Sequence, residues 1–553
     1  MEVGNPVSVM RSTALLEQHL PKLPLLPCAS FVSSTGIRPV IFKHEAQLNT
    51  GDDGAVARQF PKITAASWRH VLKADGFNEA SQAMRVAVLF SGGPASGGHN
   101  VIVGLKHALA GSTLLGVRCG PKGLLAGDFF EITDEQVEHV RNIGGFDLLG
   151  TDRTKIKSDE QVATLRKVCL EHKLDAIVVI GGDDSNTNAA VLAEALFNIK
   201  PDGTGVQVIG VPKTMDGDVQ QDGLLPLPFG FSTATRIYAE LVGNILQDTP
   251  SSGKYWHFIK LMGRTASHVA LEVALQTHPT ITFISEEVRE QRRSLQSIID
   301  EIADAVLDRA SRGMHHGVVV VPEGLLEFIP EVSDLIAEIE RVMVADGSYA
   351  GLDRHHRREF FISRVQHLLF GQLPHYIQDM LIADRDSHGN LEVSQIPTER
   401  LIADMVAARV DGKVKLLPQT HFFGYEGRCG APTRFDAMLS YNLGLVAGSL
   451  VLDGRTGYMA GFTNYDEGGS PVAIPLVGIM GAERRNGKDE FVISKRLVQL
   501  DDPAFLYFAQ HRDEWKRDDA FASPGPRQFW GPTAYEMPLT VVINHGYGGF
   551  FRV

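Results

Sequence analysis

Residues 213–218 (KTMDGD) place a cation, a hydroxyl group and two carboxylates within six residues. They follow VQVIGVP, whose β-branched residues predict a strand. In an extended segment, Asp216 and Asp218 project to the same side. One carboxylate can then deprotonate an attacking hydroxyl group while Lys213 and a metal ion hold a transferring phosphoryl group. The pattern therefore indicates phosphoryl transfer, with a solvated turn as the alternative.

A second loop carries two adjacent carboxylates. Asp183 and Asp184 follow the apolar run LDAIVVIGG and precede a predicted helix. Adjacent carboxylates are costly there unless a cation neutralises them, and Mg²⁺ bound to phosphate oxygens is a common solution. In the alternative interpretation, one of the two carboxylates is the N-cap of the helix.

A third loop is rich in glycine. The predicted strand AVLF leads into SGGPASGGHN (residues 91–100), which includes Gly93 and opens onto a predicted helix. Glycines let backbone amides approach an anion, and the N-terminus of a helix favours negative charge. The spacing is neither GxGxxG nor that of a Walker A loop, so a tight turn without a ligand stays the alternative to a phosphate site.

Short β-branched runs alternate with helical sequence around these loops. The runs are MRVAVLF, LDAIVVIGG, VQVIGVP, YWHFIKLM, PTITFIS and GVVVVPEG. This alternation predicts an α/β protein with mainly parallel sheets, covered by helices and divided over two Rossmann-like lobes. Because ligands bind at the carboxyl ends of parallel strands, we expect the three loops to converge on one site.

Changes in the pattern divide the chain into five segments. Amphipathic sequence such as EVSDLIAEIERVM replaces the strand signal between the two parts of the second lobe and predicts a helical insertion. The predicted segments are an N-terminal extension (1–80), a first α/β lobe (81–225), a second α/β lobe (226–324 and 414–465), the helical insertion (325–413) and a C-terminal extension packing on the body (466–553).

Composition limits the function classes. The chain has 553 residues, 44% hydrophobic, which is enough for a large core and excludes disorder as the main state. A net charge of −13 argues against nucleic acid and anionic membranes as partners. The four cysteines form no CxxC pair, no apolar run reaches the roughly 18 residues of a membrane span, and the first 30 residues lack a signal-like apolar core. We therefore expect a cytoplasmic protein.

The loops resemble those of the phosphofructokinase family, in particular its pyrophosphate-dependent branch in the long form found in plants and some protists and bacteria. LMGR (261–264), PEG (322–324) and GYEGRCG (424–430) match further family motifs in the same order. The resemblance implies the phosphofructokinase fold, with the donor in the first lobe and the sugar phosphate in the second. It also implies reversible, Mg²⁺-dependent transfer from pyrophosphate to the 1-hydroxyl of fructose 6-phosphate, giving fructose 1,6-bisphosphate and phosphate in glycolysis or gluconeogenesis.

The resemblance also implies roles for individual residues. Asp216 is the expected base, Asp183 the expected Mg²⁺ ligand, and the remaining residues of the reacting centre are Lys213, Thr214, Asp218 and Arg264. The donor-binding residues are expected to be Gly93, Arg153, Asp184 and Lys213. The sugar-phosphate-binding residues are expected to be Thr214, Asp216, Met262, Gly263, Arg264, Glu323, Tyr425 and Arg428.

Two substitutions favour pyrophosphate as the donor. ATP-dependent members resembling the bacterial enzymes carry GGDGS and PGT where this chain has GGDDS and PKT. Asp184 adds a carboxylate where the α-phosphate and nucleoside of ATP would lie, and Lys213 adds a cation where pyrophosphate ends. Like charges about 4 Å apart repel by about 4 kcal/mol at an effective dielectric near 20. The alternatives are an ATP-dependent 6-phosphofructokinase and a non-catalytic regulatory subunit.

The resemblance further implies an oligomer: a homodimer, a homotetramer or a hetero-oligomer with a regulatory subunit. Gln419 stands where bacterial ATP-dependent relatives carry an arginine that reaches the 6-phosphate of a neighbouring subunit. Candidates to replace that arginine are Lys254, Lys260 and His421.

Overall fold

The computed structural model describes residues 23–48, 53–67, 70–79, 83–383, 396–485, 488–524 and 537–546. Within these residues the chain forms two large β-sheets, each covered by helices. Residues 1–22 of the predicted N-terminal extension and residues 384–395 of the predicted insertion lie outside the described residues.

The larger sheet contains eleven strands among the described residues. Nine of them follow one another in the spatial order Val40–Gln47, His70–Phe77, Ser470–Pro475, Tyr458–Thr463, Gln207–Thr214, Ala176–Gly181, Arg85–Ser91, Thr113–Val117 and Phe129–Glu131. The short strands Thr151–Asp152 and Phe229–Gly230 attach to this row. The five strands from Tyr458–Thr463 to Thr113–Val117 are mutually parallel, whereas the strands at both edges are antiparallel.

The central strands are apolar on both faces because helices cover both faces. In Arg85–Ser91, Val86, Val88 and Phe90 pack in one core, and Ala87 and Leu89 pack in another. The helices of this lobe are Gly98–Ala108, Gly120–Ala126, Asp134–Val140, Asp159–Glu171, Asp183–Ala195 and Arg434–Leu452.

The second sheet has four parallel strands, in the order Ile281–Thr282, Gly317–Pro322, Trp256–Leu261 and Pro418–Phe423. Ile259 and Leu261 face a core shared with the first sheet, whereas Trp256 and Phe258 face the core of the helical insertion. Helices of this lobe are Phe231–Ser252, His268–Thr277, Ser285–Glu290 and Leu295–Ser311. The two sheets confirm the predicted α/β class with mainly parallel strands.

Helices make up most of the described part of residues 325–413. They are Leu325–Phe328, Pro330–Ala345, Arg354–Ile362, Leu368–Gln372, His375–Leu381 and Thr398–Val410. The two terminal extensions contribute the helices Asp53–Gln59, Pro61–Ser67, Pro503–Arg517 and Leu539–His545, and the hairpins Val32–Ser33/Gly36–Ile37 and Met480–Arg485/Lys488–Ile493. Short 3₁₀ turns are Ala29–Phe31, Gly347–Gly351, Tyr425–Gly427, Tyr465–Glu467 and Leu476–Ile479.

The strand pairing corrects three of the predicted boundaries. Tyr458–Thr463, assigned from the sequence to the second lobe with 414–465, lies in the first sheet beside Gln207–Thr214. Ser470–Pro475 and the two strands of the N-terminal extension continue that sheet, so both extensions supply strands as well as packing on the body. The sequence could not fix these boundaries because each depends on a pairing between distant segments.

Helix Arg434–Leu452 also belongs to the first lobe. It crosses Gly98–Ala108 so closely that a Cβ on Gly444 would lie 2.2 Å from the Val101 carbonyl oxygen, and one on Gly104 2.1 Å from that of Tyr441. Of the described helices, only Arg434–Leu452 is long and apolar enough to span a membrane, and 94% of its apolar window is buried inside the protein. It is thus a core helix of this lobe.

Candidate active site

The register of the central strands brings the three polar loops together. Gly181 pairs with Pro212 on one side and with Ser91 on the other. The strands therefore end side by side, and the segments that follow Ser91, Gly181 and Pro212 share one edge of the sheet. This convergence follows from the parallel direction of the strands.

The glycine-rich loop is surrounded by cations. Nζ of Lys213 donates a hydrogen bond to the Gly93 carbonyl oxygen at 2.8 Å. A Cβ on Gly93 would lie 3.7 Å from Nη2 of Arg153 and 3.7 Å from Cζ of Arg428. Burial lowers the pKa of Lys213 to about 8, although the Asp216 and Asp183 carboxylates oppose that shift. One ammonium and two guanidinium groups thus surround Gly93, which has no side chain, an arrangement suited to a phosphate group.

Arg428, which was expected to bind the sugar 6-phosphate in the second lobe, also lies beside the donor loop. Its guanidinium carbon would lie 3.7 Å from a Cβ on Gly93, and it lies 4.5 Å from the ring centroid of Tyr425. Tyr425 itself is 70% exposed. The motif GYEGRCG therefore links the donor loop to the second lobe through Arg428.

Asp183 and Asp184 occupy the first turn of helix Asp183–Ala195, whose N-cap is Gly182. The N-cap interpretation is therefore wrong for both carboxylates, although both benefit from the positive end of the helix. Asp183 forms an ion pair with Lys495 at 3.3 Å, and Asp184 forms one with Lys155 at 3.1 Å. Burial raises the pKa of Asp183, and Lys495 opposes that rise.

The strand that precedes the base ends at Thr214, so residues 215–217 form a bend rather than the predicted extended segment. The Asp216 amide donates to Oγ1 of Thr214 at 3.0 Å. Desolvation of the partly exposed Asp216 carboxyl raises its pKa to about 7, and the negative charges of Asp218 and Glu323 contribute. A carboxyl with this pKa can accept a proton near neutral pH.

Asp218 connects the two lobes. It is buried, and its Oδ2 accepts a hydrogen bond from Oγ1 of Thr265 at 2.9 Å. Thr265 belongs to the loop after strand Trp256–Leu261 of the second sheet. Asp218 therefore helps to hold the two lobes around Asp216.

The loops of the second lobe also converge. Leu261 pairs with Pro322 on one side and Phe423 on the other, so the motifs after these three strands lie side by side. Glu323 is 3% exposed, and its Oε2 accepts a hydrogen bond from the Gly263 amide at 3.0 Å. This bond holds the Glu323 carboxylate in place. Its negative charge contributes to the raised pKa of Asp216.

Met262 and Arg264 flank Gly263. Met262 is buried, and its amide donates to the Phe423 carbonyl oxygen at 2.9 Å. Arg264 is exposed, and a Cβ on Gly324 would lie 2.0 Å from its carbonyl oxygen. The backbone of Arg264 is thus packed tightly while its side chain stays accessible to a ligand.

Two lysines at the site were missed by sequence reasoning. Lys155, paired with Asp184, lies two residues after Arg153, so its proximity to a candidate residue was an available signal. Lys495, paired with Asp183, lies in the C-terminal extension outside any recognisable motif. Only the folded chain brings Lys495 to the site.

Two of the proposed replacements for the cross-subunit arginine contact their own lobe. Nζ of Lys260 is buried and donates to the Ile396 carbonyl oxygen at 2.8 Å. Nε2 of His421 lies 2.9 Å from Nδ1 of His257. Lys254 lies 5.0 Å from the ring centroid of its neighbour Tyr255. Gln419 is exposed on strand Pro418–Phe423 at the edge of the second sheet.

The acidic residues fit a lightly held magnesium ion. Within the part of the chain that the structure describes, no three His, Cys, Asp or Glu side chains form a metal-binding group. Apart from the ion pair with Lys495, Oδ2 of Asp183 is buried and has no hydrogen-bond partner among the described residues. Mg²⁺ usually binds through one or two carboxylates, waters and substrate phosphates, so Asp183 suits it.

Comparison with known proteins gives consistent matches. A family model described as phosphofructokinase matches residues 85–451. Pyrophosphate–fructose 6-phosphate 1-phosphotransferase of Treponema pallidum is 45% identical over 480 residues, 83% of each chain. The protein of the same name from Entamoeba histolytica is 41% identical over 522 residues, 90% of this chain and 95% of the relative. The protein named as subunit beta 2 of this enzyme in Arabidopsis thaliana is 40% identical over 544 residues, 94% of this chain and 94% of the relative.

Solved structures share the fold at lower identity. Pyrophosphate-dependent phosphofructokinase from Nitrosospira multiformis matches with a TM-score of 0.50 and 15% identity, covering 82% of this chain and 95% of that one. Pichia pastoris phosphofructokinase in the T-state matches with a TM-score of 0.50 and 17% identity over 73% of this chain, which spans only 37% of that longer chain. At such identities the likeness establishes the fold alone. Taken with the matched family model and the relatives above 40% identity, these observations show that the chain belongs to the phosphofructokinase family.

Proposed function

We propose that this chain is a pyrophosphate-dependent transferase. It reversibly moves a phosphoryl group from pyrophosphate to the 1-hydroxyl of fructose 6-phosphate, giving fructose 1,6-bisphosphate and phosphate. The main support is the hydrogen bond from buried Lys213 to Gly93. It fixes an ammonium group between the glycine-rich loop and the carboxylates of Asp183 and Asp216. Relatives from Treponema pallidum and Entamoeba histolytica, 45% and 41% identical to this chain, carry the name of this activity.

The donor side of the site supports a short, highly charged ligand. Lys213, Arg153 and Arg428 surround Gly93 and supply the positive charge that a diphosphate requires. The ion pair with Lys155 holds the Asp184 carboxylate at the start of its helix. A nucleotide extending past that carboxylate would meet negative charge, so the arrangement favours pyrophosphate over ATP.

The acceptor side supports a sugar phosphate. Asp216 receives the proton of the attacking hydroxyl group, which its pKa of about 7 allows near neutral pH. Glu323, held by the Gly263 amide, offers its second carboxylate oxygen to a sugar hydroxyl. Tyr425 and Arg428 are assigned to the 6-phosphate, and the Arg428 guanidinium lies between the Tyr425 ring and the Gly93 loop.

Transfer itself requires positioning and charge neutralisation more than covalent chemistry. Lys213 and Arg153 hold the donor in place, and Arg264 stays accessible beside the transferring group. Asp183 is assigned as the residue that holds Mg²⁺, which when bound neutralises charge on the phosphate oxygens. Asp218 keeps both lobes in contact through Thr265 and so maintains the distance between acceptor and donor.

The setting of the enzyme is part of the proposal. We place it in the cytoplasm, as expected from the sequence. We also propose that it is an oligomer, because the second sheet ends in the accessible strand Pro418–Phe423, which carries the exposed Gln419. Plant relatives are named as alpha and beta subunits, so a hetero-oligomer is an alternative to a homodimer or homotetramer. Light scattering coupled to size-exclusion chromatography on the purified chain distinguishes these states.

Initial rates with pyrophosphate or ATP as the donor test the function. The wild-type chain, with fructose 6-phosphate and Mg²⁺, is expected to turn over with pyrophosphate alone. The variant Asp184→Gly/Lys213→Gly is expected to lose pyrophosphate activity and gain activity with ATP, while Lys155→Met serves as a comparison that removes one ion-pair partner of Asp184 and keeps its carboxylate. Turnover with ATP alone in the wild type would contradict the donor assignment, and no turnover with either donor would indicate a regulatory subunit.

A further inference from the structure

Lys495 brings the C-terminal extension into the donor site. Its Nζ lies 3.3 Å from Oδ2 of Asp183, and only 22% of its side chain is exposed. Asp184 and Asp218 also lie within electrostatic range of this ammonium group. This half-buried lysine offsets part of the negative charge of the three carboxylates and could turn to an anion once a cation took its place beside them.

The backbone around Lys495 is fixed on the side of the first lobe. The Ile493 amide donates to Oγ1 of Thr187 at 2.9 Å, on the helix that begins at Asp183. The Arg496 amide donates to the Asp218 carbonyl oxygen at 2.8 Å. These two bonds flank Lys495 and set the position of its Cα against the donor loops.

The same segment is fixed on the side of the second lobe. Nε2 of His268 lies 2.8 Å from the Arg496 carbonyl oxygen, and the Val498 amide donates to Oε1 of Glu286 at 3.0 Å. Residues 493–498 therefore run between the lobes and contact both. A side chain held in this way loses little further freedom on binding a ligand, which favours affinity.

The ion pair between Lys495 and Asp183 describes the site when no donor is bound. If Asp183 held Mg²⁺, that ion would repel the Lys495 ammonium from the carboxylate, and the ammonium would need another anionic partner. The phosphate oxygens of the donor are such a partner.

We propose that Lys495 is a donor-binding residue that neutralises Asp183 in the empty site and contacts the oxygens of pyrophosphate when the donor is bound. This inference rests on the proposed function. It assigns to the C-terminal extension a direct part in recognising the donor, so that completing the site depends on docking of residues 493–498 between the lobes.

Lys495→Met tests this role, with Lys157→Met as the matched control. Lys157 forms an exposed ion pair at 3.2 Å with Glu490 of the C-terminal hairpin, so its loss removes a contact of this hairpin but no side chain assigned to the donor. Lys495→Met is expected to raise the KM for pyrophosphate by about 10- to 100-fold, the usual effect of a lost charged hydrogen bond. The KM for fructose 6-phosphate is expected to stay within about twofold, and Lys495→Arg to retain most of the pyrophosphate affinity.

A thermal shift supplies a readout that does not depend on turnover. Magnesium pyrophosphate should raise the melting temperature of the wild type and of Lys157→Met, and should raise that of Lys495→Met much less at the same concentration. An unchanged KM and thermal shift in Lys495→Met would overturn the proposal, as would equal losses in Lys157→Met. If the wild type is stabilised by pyrophosphate but does not turn over, the proposed function fails while the thermal shift still decides the role of Lys495.

Discussion

The Lys213 ammonium and the Gly93 carbonyl group, 2.8 Å apart, join two loops that are 120 residues apart in the chain. This bond places the cation against the backbone of the glycine-rich loop. Burial lowers the pKa of Lys213 to about 8, and the nearby Asp216 carboxylate opposes that shift. One residue thus connects the donor loop to the base. The following variants and pH profiles test this arrangement.

Asp216→Asn is expected to lower kcat by roughly 10²- to 10⁴-fold, the usual contribution of a general base. The amide keeps the shape of the side chain but cannot take the proton of the sugar hydroxyl. The KM for fructose 6-phosphate should change little. Steady-state kinetics measure both constants, and Asp202→Asn, in an exposed turn, provides the control. A near-normal kcat would exclude Asp216 as the base.

The acid limb of the pH profile should report Asp216. Its pKa is raised to about 7, and the base acts only when unprotonated. The kcat/KM for fructose 6-phosphate is therefore expected to fall about tenfold per pH unit below about 7 and to level off above it. The low residual activity of Asp216→Asn should lack this limb, and an identical limb in that variant would assign it to another group.

The alkaline limb should report Lys213. Burial lowers the pKa of this ammonium to about 8, so the positive charge is lost as pH rises through that value. We expect kcat/KM for pyrophosphate to decline above about pH 8 while Lys213→Arg, which stays charged, retains activity to higher pH. The same decline in Lys213→Arg would show that a different group causes it.

Glu323→Gln should weaken sugar binding and shift the acid limb. The amide oxygen can still accept from the Gly263 amide, but the negative charge that helps to raise the pKa of Asp216 is lost. The KM for fructose 6-phosphate is expected to rise about tenfold, and the acid limb to move to lower pH, because the base then loses its proton more readily. If only the pyrophosphate KM changed, Glu323 would belong to the donor side.

Gly444→Ala should destabilise the first lobe. A Cβ at this position would lie 2.2 Å from the Val101 carbonyl oxygen, so the two core helices must separate. We expect a loss of about 1–3 kcal/mol in the free energy of unfolding, measured by chemical denaturation. Gly371→Ala is the control, because a Cβ there meets nothing within 4 Å. Equal stability of the two variants would contradict the close helix packing.

Much of the site could be predicted from the sequence because its residues follow strands in the chain. The apolar runs before Gly92, Gly182 and Lys213 are local signals, and parallel strands necessarily present their carboxyl ends at one edge. The same reasoning placed Met262, Glu323 and Arg428 at the edge of the second sheet. Local reasoning failed at two points. The chain bends after Thr214 instead of staying extended, and the helix N-cap is Gly182 instead of one of the two aspartates.

The α/β class, the three loops of the first lobe and the residue types at their ends can be inferred from the amino-acid sequence alone. The folded chain is needed to see that Tyr458–Thr463 joins the first sheet, that the two extensions supply edge strands, and that Lys495 forms an ion pair with Asp183. Hydrophobic period and loop composition are properties of neighbouring residues, whereas these contacts join segments hundreds of residues apart. Their formation depends on how both lobes pack, which no local pattern in the chain encodes.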